Sequence, residues 1–168
     1  MKSNVAKLTA AALTAAVIFI VTWGVRVPIP GSSGGYINIG DVVIYLSSLL
    51  LGPVMGAAAA AVGSIFADLA GGAVIYAPAT FVIKGLIWLV CYRVHKGGGI
   101  ARFSVACFAG GLVMTAGYAL YELFVFGAAY AIAGVPFNLI QWIGATVIAS
   151  ALFPAAKRLR KAVFSFVR

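Results

Sequence analysis

Three charged residues interrupt otherwise apolar stretches of this chain: Asp68, Lys84 and Glu122. Insertion scales give a cost of roughly 2.5–3.5 kcal/mol for each charge placed in the hydrocarbon layer of a membrane. Such charges are retained where they pair with one another, face the interior of a helix bundle or contact a ligand. These residues therefore predict a polar binding pocket inside a membrane protein.

The composition supports the membrane premise. Of the 168 residues, 64% are apolar and only 9% are charged, whereas a soluble domain is nearer half apolar and about a quarter charged. Because a membrane helix needs about 20 residues, the chain has room for several spans and little else. We expect an all-α integral membrane protein that forms a single domain over residues 1–168.

Basic residues mark one side of the predicted membrane. The formal net charge is +9, and ten of the twelve basic residues fall in three places that share one side if six helices cross. They are Lys2, Lys7, Arg93, Lys96, Arg102, Lys157, Arg158, Arg160, Lys161 and Arg168. This positive-inside pattern predicts six transmembrane helices with cytoplasmic N- and C-termini. It also explains the charge through contact with anionic lipid headgroups, so no nucleic-acid partner is expected.

Glycine and proline divide the chain into six predicted helices. They lie at about 6–25, 39–51, 54–69, 78–94, 103–126 and 137–152. Between them, residues 27–38 read as a loop, Gly52-Pro53 as a tight turn, and residues 133–136 as a third outer turn. The second and third helices are short for a full crossing.

Polar residues of several predicted helices share one depth, away from the basic loops. Asp68 ends the third helix, Lys84 lies roughly 9 Å into the fourth, and Glu122 lies near the outer end of the fifth. The residues predicted to bind substrate are Tyr36, Asn38, Asp41, Asp68, Tyr76, Lys84, Tyr118, Glu122, Asn138, Gln141 and Trp142. Two alternatives stay open: the aromatic residues could form an interfacial belt, and Asp68 could form a structural ion pair with Lys84.

Other chemistries find little support in the residues. The chain has one histidine, His95, which lies in a basic loop where we expect it to be solvated. Neither H-E-x-x-H nor a Walker A sequence occurs, so we predict no catalytic residues, no metal and no cofactor. Cys91 and Cys107 lack C-x-x-C spacing and are expected to be packing residues.

Four segments carry a resemblance to a known family. They are YINIGD at 36–41, LGPVMG at 51–56, ADL at 67–69 and YAPATFVIKGL at 76–86. Together they resemble the substrate-binding S components of energy-coupling factor (ECF) vitamin transporters, in the branch of riboflavin, hydroxymethylpyrimidine and pyridoxine S components. The resemblance spans most of the chain.

The resemblance implies a vitamin bound near the outer face of a prokaryotic plasma membrane, under loops that act as a lid. It also implies a complex with a membrane scaffold subunit and two ATPase subunits that hydrolyse ATP. Ala11, Ala12, Ala15 and Ala16 are similar to the family's alanine surface and are predicted to dock the scaffold. Internal helix packing is the alternative for these alanines, since small residues permit close approach of membrane helices.

We expect a neutral or zwitterionic heteroaromatic ring with hydroxymethyl groups, with pyridoxine first, hydroxymethylpyrimidine second and riboflavin third. A self-sufficient small secondary transporter or channel is the main alternative, although no internal repeat is evident. An intramembrane enzyme and a purely structural membrane subunit are weaker alternatives.

Overall fold

The computed structural model describes residues 2–166, with side chains over residues 5–160. This part of the chain folds into six α-helices and one short hairpin. The elements are α1 (Lys2–Gly24), β1 (Arg26–Pro28), β2 (Tyr36–Asn38), α2 (Gly40–Ser47), α3 (Pro53–Ala70), a 3₁₀ turn (Val74–Tyr76), α4 (Ala77–His95), α5 (Ile100–Phe126) and α6 (Ala128–Phe166).

Five of the helices, α1 and α3 to α6, are long and apolar enough to cross a membrane. Helix α2 has only 8 residues, about 12 Å of rise, which is well short of the roughly 30 Å hydrocarbon layer. It ends at Ser47 and Ser48, whose hydroxyls donate to the carbonyls of Ile44 and Tyr45. Such local bonds compete with helix propagation. The helical fold class is confirmed, while six crossings and cytoplasmic termini stay predictions.

The segment predicted as a plain loop contains an antiparallel pair of strands. Arg26 pairs with Asn38 and Pro28 pairs with Tyr36. The connection uses Gly31 and Gly34, whose φ values are +74° and +96°, a region that glycine enters without steric cost. The strands have three residues each, which is too short for an alternating pattern to reveal them, so the sequence predicted only a loop here.

The turn predicted at residues 133–136 is also wrong. Helix α5 ends at Phe126, and Gly127, with a φ of +92°, reverses the chain alone before α6 begins. Pro136 lies inside α6, as membrane helices tolerate because neighbouring groups satisfy the freed carbonyl. Helix α6 also continues past the predicted end near residue 152, through a segment rich in lysine and arginine, which are good helix formers.

Glycines allow the helices to approach closely. A Cβ on Gly63 of α3 would collide with the carbonyl oxygen of Ala15 in α1. One on Gly56 would collide with the ring of Trp88, and one on Gly111 with the ring of Trp142. Packing of this kind drives helix association in membranes, where no hydrophobic force acts between helices.

When the short helix α2 is included, successive helices run in alternating directions, which gives the bundle two different ends. The hairpin end is formed by residues 26–38, 71–76 and Gly127, and the basic end by residues 48–52 and 96–99. A core of large buried side chains, including Tyr45, Trp88 and Met114, fills the space between them. All three acidic residues of the chain lie toward the hairpin end.

Candidate functional site

A cavity of about 40 Å³ lies under the hairpin, at the depth where the sequence places its buried charges. Nine of the residues predicted to bind substrate line it: Tyr36, Asn38, Asp68, Tyr76, Lys84, Tyr118, Glu122, Asn138 and Gln141. Six further lining residues were missed: Thr22, Ile29, Gly34, Gly35, Ser64 and Thr80. The hairpin, α1, α3, α4, α5 and α6 all contribute, so the cavity exists only in the folded bundle.

Two of the missed residues had a usable signal in the sequence. Ser64 precedes Asp68 by one helical turn, and Thr80 precedes Lys84 by one turn, so each shares a face with a buried charge. The hairpin glycines Gly34 and Gly35 were missed because their segment was predicted to be an unstructured loop. Thr22 is a lone hydroxyl in an apolar helix, which gives no pattern to detect.

Lys84 forms a buried ion pair, but its partner is Asp41 and not Asp68. The Lys84 ammonium donates to Oδ1 of Asp41 at 2.6 Å, and the two side chains are only 3% and 0% exposed. The other carboxylate oxygen of Asp41 accepts from Nε2 of Gln141, also at 2.6 Å. The alternative of a structural ion pair between Asp68 and Lys84 is therefore wrong. Asp41 begins the short helix α2, which brings it to α4 in a way that the linear spacing does not show.

Gln141 joins this ion pair to the hairpin. Its Oε1 accepts a hydrogen bond from the backbone N–H of Asn38 at 2.8 Å. The Oδ1 of Asn38 in turn accepts from the N–H of Gly40 at 2.9 Å, which fixes the entry into α2. Buried polar groups that satisfy one another in this way rigidify a core. The floor of the cavity is therefore a preorganised network.

Asp68 faces the hairpin through a tyrosine. The Tyr36 hydroxyl donates to Oδ1 of Asp68 at 2.6 Å. Burial raises the pKa of the Tyr36 phenol far above its usual value, so this hydroxyl stays protonated and remains the donor. Within the described side chains, Oδ2 of Asp68 is buried and has no hydrogen-bond partner. This oxygen can therefore accept a hydrogen bond from a bound ligand.

Glu122 is connected to the hairpin by two further tyrosines. The Tyr76 hydroxyl donates to Oε1 of Glu122 at 3.1 Å and lies 3.1 Å from the Tyr130 hydroxyl. The Tyr130 oxygen accepts from the backbone N–H of Ser33, in the hairpin loop, at 2.6 Å. Oε2 of Glu122 is buried without a hydrogen-bond partner in the described part of the chain, and it lies against Gly134.

The charges around the cavity do not cancel. Lys84 and Asp41 neutralise each other, whereas neither Asp68 nor Glu122 forms an ion pair within residues 5–160. The Lys84 ammonium also lies 5.5 Å from the centre of the Tyr118 ring. Hydroxyls of Thr80 and Tyr118 are joined at 3.0 Å beside these groups. The arrangement offers two carboxylate acceptors and an aromatic face to a cationic or donor-rich ligand.

Two predicted site residues lie outside the lining. Asp41 is fully buried beneath the cavity, where it holds Lys84. Trp142 packs on Gly111 and stacks at a tilt on Phe108, with ring centres 4.6 Å apart. It therefore belongs to the core rather than to the cavity wall. Among the described residues, no group of three or more His, Cys, Asp or Glu side chains is placed to hold a metal ion.

The four predicted docking alanines divide between two faces of α1. Ala11 is buried and Ala15 half-buried, and the Ala15 carbonyl lies against Gly63 of α3. Ala12 and Ala16 are exposed on the face away from the bundle. Internal packing therefore accounts for one pair only.

Comparisons with known proteins agree on the kind of protein. A family model described as ECF-type riboflavin transporter, S component, matches residues 2–161. An uncharacterized protein of Pyrococcus woesei is 34% identical over 136 residues, covering 80% of this chain and 90% of the relative. The thiamine precursor transporter HmpT of Lactococcus lactis subsp. cremoris is 30% identical over 158 residues, covering 92% of this chain and 90% of the relative.

A solved structure shares the fold. Described as the S component of a bacterial ECF transporter, it superposes with a TM-score of 0.75 and covers 95% of this chain and 98% of its own. The sequence identity is 21%, so this likeness speaks for the fold alone.

Proposed function

Because this chain belongs to the family of ECF-type riboflavin transporter S components, we propose that the cavity beneath its hairpin binds one small water-soluble vitamin precursor. Members of this family are substrate-binding components of transporters, not enzymes. The observation that supports the site is a pair of buried carboxylates, Asp68 and Glu122, each with one oxygen that lacks a partner within residues 5–160.

The charge balance favours a cationic nitrogen heterocycle as ligand. A buried carboxylate without a counter-charge is costly, and a protonated ring nitrogen or an amino group would offset that cost at both Asp68 and Glu122. An aminopyrimidine with a hydroxymethyl group fits this demand, and the relative from Lactococcus lactis is described as a thiamine precursor transporter. We therefore place hydroxymethylpyrimidine ahead of pyridoxine, which reverses the order favoured by the sequence, and riboflavin last.

The hairpin must move for such a ligand to enter. The cavity measures about 40 Å³, room for little more than water, whereas ligand pockets are usually several hundred Å³. The contacts that hold the hairpin over the cavity are hydrogen bonds from Tyr36 to Asp68, from Asn38 to Gln141 and from Ser33 to Tyr130. We propose that the hairpin opens by releasing these three contacts and closes again over the bound ring.

Calorimetry on the purified full chain tests the site. Glu122→Gln and Asp68→Asn keep the shape and remove the charge, so binding of hydroxymethylpyrimidine should weaken by about 2–5 kcal/mol for a buried charged contact. Ser104→Ala, at the basic end, is the matched control and should bind as the wild type does. If both amide variants bind hydroxymethylpyrimidine and pyridoxine with wild-type affinity, the carboxylates are structural and the proposed site is wrong.

Transport requires partners, and the exposed face of α1 is where we propose that they dock. Small side chains at Ala12 and Ala16 permit a second membrane helix to approach closely, and helix α1 is the least buried of the five long helices. The proposed partners are an ECF scaffold subunit and two ATPase subunits in the plasma membrane of a prokaryote. They would supply the ATP hydrolysis that drives uptake.

The two faces of α1 provide a matched test of docking. Ala12→Trp should leave ligand binding to the isolated chain intact and abolish ATP-driven uptake by the assembled complex. Ala11→Trp faces α3 and should instead reduce the thermal stability of the isolated chain. If the Ala12 variant supports normal uptake, the scaffold does not dock on this face.

A further inference from the structure

A second and larger cavity lies at the basic end of the bundle, far from the vitamin site. Its volume is about 590 Å³. It opens between the α2–α3 connection, residues 48–52, and the end of α4 around His95 and Lys96, with Arg160 of α6 on a third side. The proposed function assigns no role to it. We call it the basic-end cavity.

The side chains of the basic-end cavity combine positive charge with apolar surface. Lys96 and Arg160 contribute cationic groups, while Leu49, Leu51 and the ring of Tyr92 contribute apolar surface. Every acidic residue of the chain lies toward the opposite end. The electrostatic potential in this cavity is therefore positive.

A buried histidine points to a ligand at the same place. The prediction that His95 is solvated is wrong, because this side chain is only 5% exposed. Its Nδ1 has no hydrogen-bond partner within the described residues. Its ring is held edge-on between Phe103 and Phe153, at centroid distances of 5.5 and 5.7 Å. Buried polar atoms are nearly always hydrogen-bonded in folded proteins. Because His95 lines the basic-end cavity, we expect a polar group bound there to be the partner of this nitrogen.

We infer that the basic-end cavity binds the phosphate group of an anionic phospholipid. Basic pockets between membrane helices on the cytoplasmic side hold anionic lipid headgroups, and this cavity lies at the end that carries the basic loops. The phosphate would sit between Lys96 and Arg160, with His95 as a further hydrogen-bonding group. The acyl chains would run along Leu49, Leu51 and Tyr92. A soluble phosphate compound has the same phosphate chemistry as the headgroup, but it has no acyl chains to contact these apolar side chains.

Native mass spectrometry of the full chain in detergent, titrated with phosphatidylglycerol, tests the inference. The double variant Lys96→Gln/Arg160→Gln should bind this lipid roughly twentyfold more weakly, at about fivefold for each charge removed near an anionic group. The control Lys7→Gln/Arg158→Gln removes the same charge from exposed positions outside the cavity and should stay within about twofold of the wild type. Thermal melting of all variants checks that they are folded.

Three further arms identify the source of the phosphate. Phosphatidylcholine, which carries no net charge, should bind far more weakly than phosphatidylglycerol, and millimolar inorganic phosphate should not displace the bound lipid. His95→Phe, which keeps the aromatic packing, should weaken lipid binding without lowering the melting temperature. Equal losses in the two double variants would show a diffuse basic surface and overturn the site. Displacement by inorganic phosphate alone would overturn the assignment to lipid.

Discussion

The ion pair between Lys84 and Asp41 allows a sharp test of what holds the bundle together. Both side chains are almost fully buried and their charged atoms are 2.6 Å apart. Removing one partner of such a pair leaves an uncompensated buried charge, which costs about 3–5 kcal/mol of unfolding free energy. We expect Lys84→Met to fall at the lower end of this range, because Asp41 keeps its hydrogen bond from Gln141.

The double variant Asp41→Asn/Lys84→Met should be more stable than either single variant. It removes both charges together, and replacing a complete buried pair by uncharged groups is often close to neutral. We therefore expect a coupling energy of about 2–3 kcal/mol between the two positions, within the range seen for contacting residues. Lys7→Met, at an exposed lysine, controls for the loss of net charge.

Equilibrium unfolding in mixed micelles, followed by intrinsic tryptophan fluorescence, gives the four free energies of this cycle. If the two single effects simply add, the ion pair contributes nothing specific and the network beneath the cavity has been misread. The same variants separate stability from binding. A Lys84→Met protein that keeps wild-type stability but loses ligand affinity would show that Lys84 contacts the ligand and not Asp41.

Two further predictions concern the walls of the cavity beneath the hairpin. A Cβ at Gly134 would lie 2.6 Å from Oε2 of Glu122, so Gly134→Ala should displace this carboxylate and weaken ligand binding by about 1–3 kcal/mol. Gly144→Ala in the same helix has open space around it and should bind normally in the same calorimetry; equal affinities would refute the crowding argument. Tyr130→Phe removes the 2.6 Å hydrogen bond to Ser33, which should speed ligand release up to about tenfold. Stopped-flow fluorescence measures that rate, and an unchanged rate would show that this contact does not restrain the hairpin.

Much of the lining of the cavity beneath the hairpin could be predicted from residue type and depth alone. Charged side chains such as Asp68, Lys84 and Glu122 are too costly to expose to lipid, so they are expected in the interior of the helix bundle. Helical periodicity then determines which polar neighbours share their depth, and Asn138 and Gln141 were placed correctly beside the cavity on this basis. The sequence also determined which end of the bundle is basic, because all loops on the same side of the membrane share an excess of lysine and arginine.

The pairing within the site was decided by the tertiary structure. The sequence shows that Asp68 and Lys84 lie at similar depths in the bundle. It does not show that the short helix α2 places Asp41, and not Asp68, within ion-pair distance of Lys84. Whether Ala12 or Ala11 faces lipid likewise depends on the rotation of α1 about its own axis, which is set by the contact of Gly63 with Ala15.

The boundaries of α6 and the contacts of the hairpin were also decided by the tertiary structure. From composition alone, Pro136 was predicted to lie at the end of a turn. In the structure the chain reverses at Gly127, and α6 packs against α5 and continues without a break past Pro136. Two of the three hydrogen bonds that hold the hairpin over the cavity join residues about a hundred positions apart, namely Asn38 with Gln141 and Ser33 with Tyr130. The sequence determined what must be buried and at which depth, because solvation acts on each residue separately. Only the folded chain decided which buried groups meet, because that depends on how whole helices are oriented against one another.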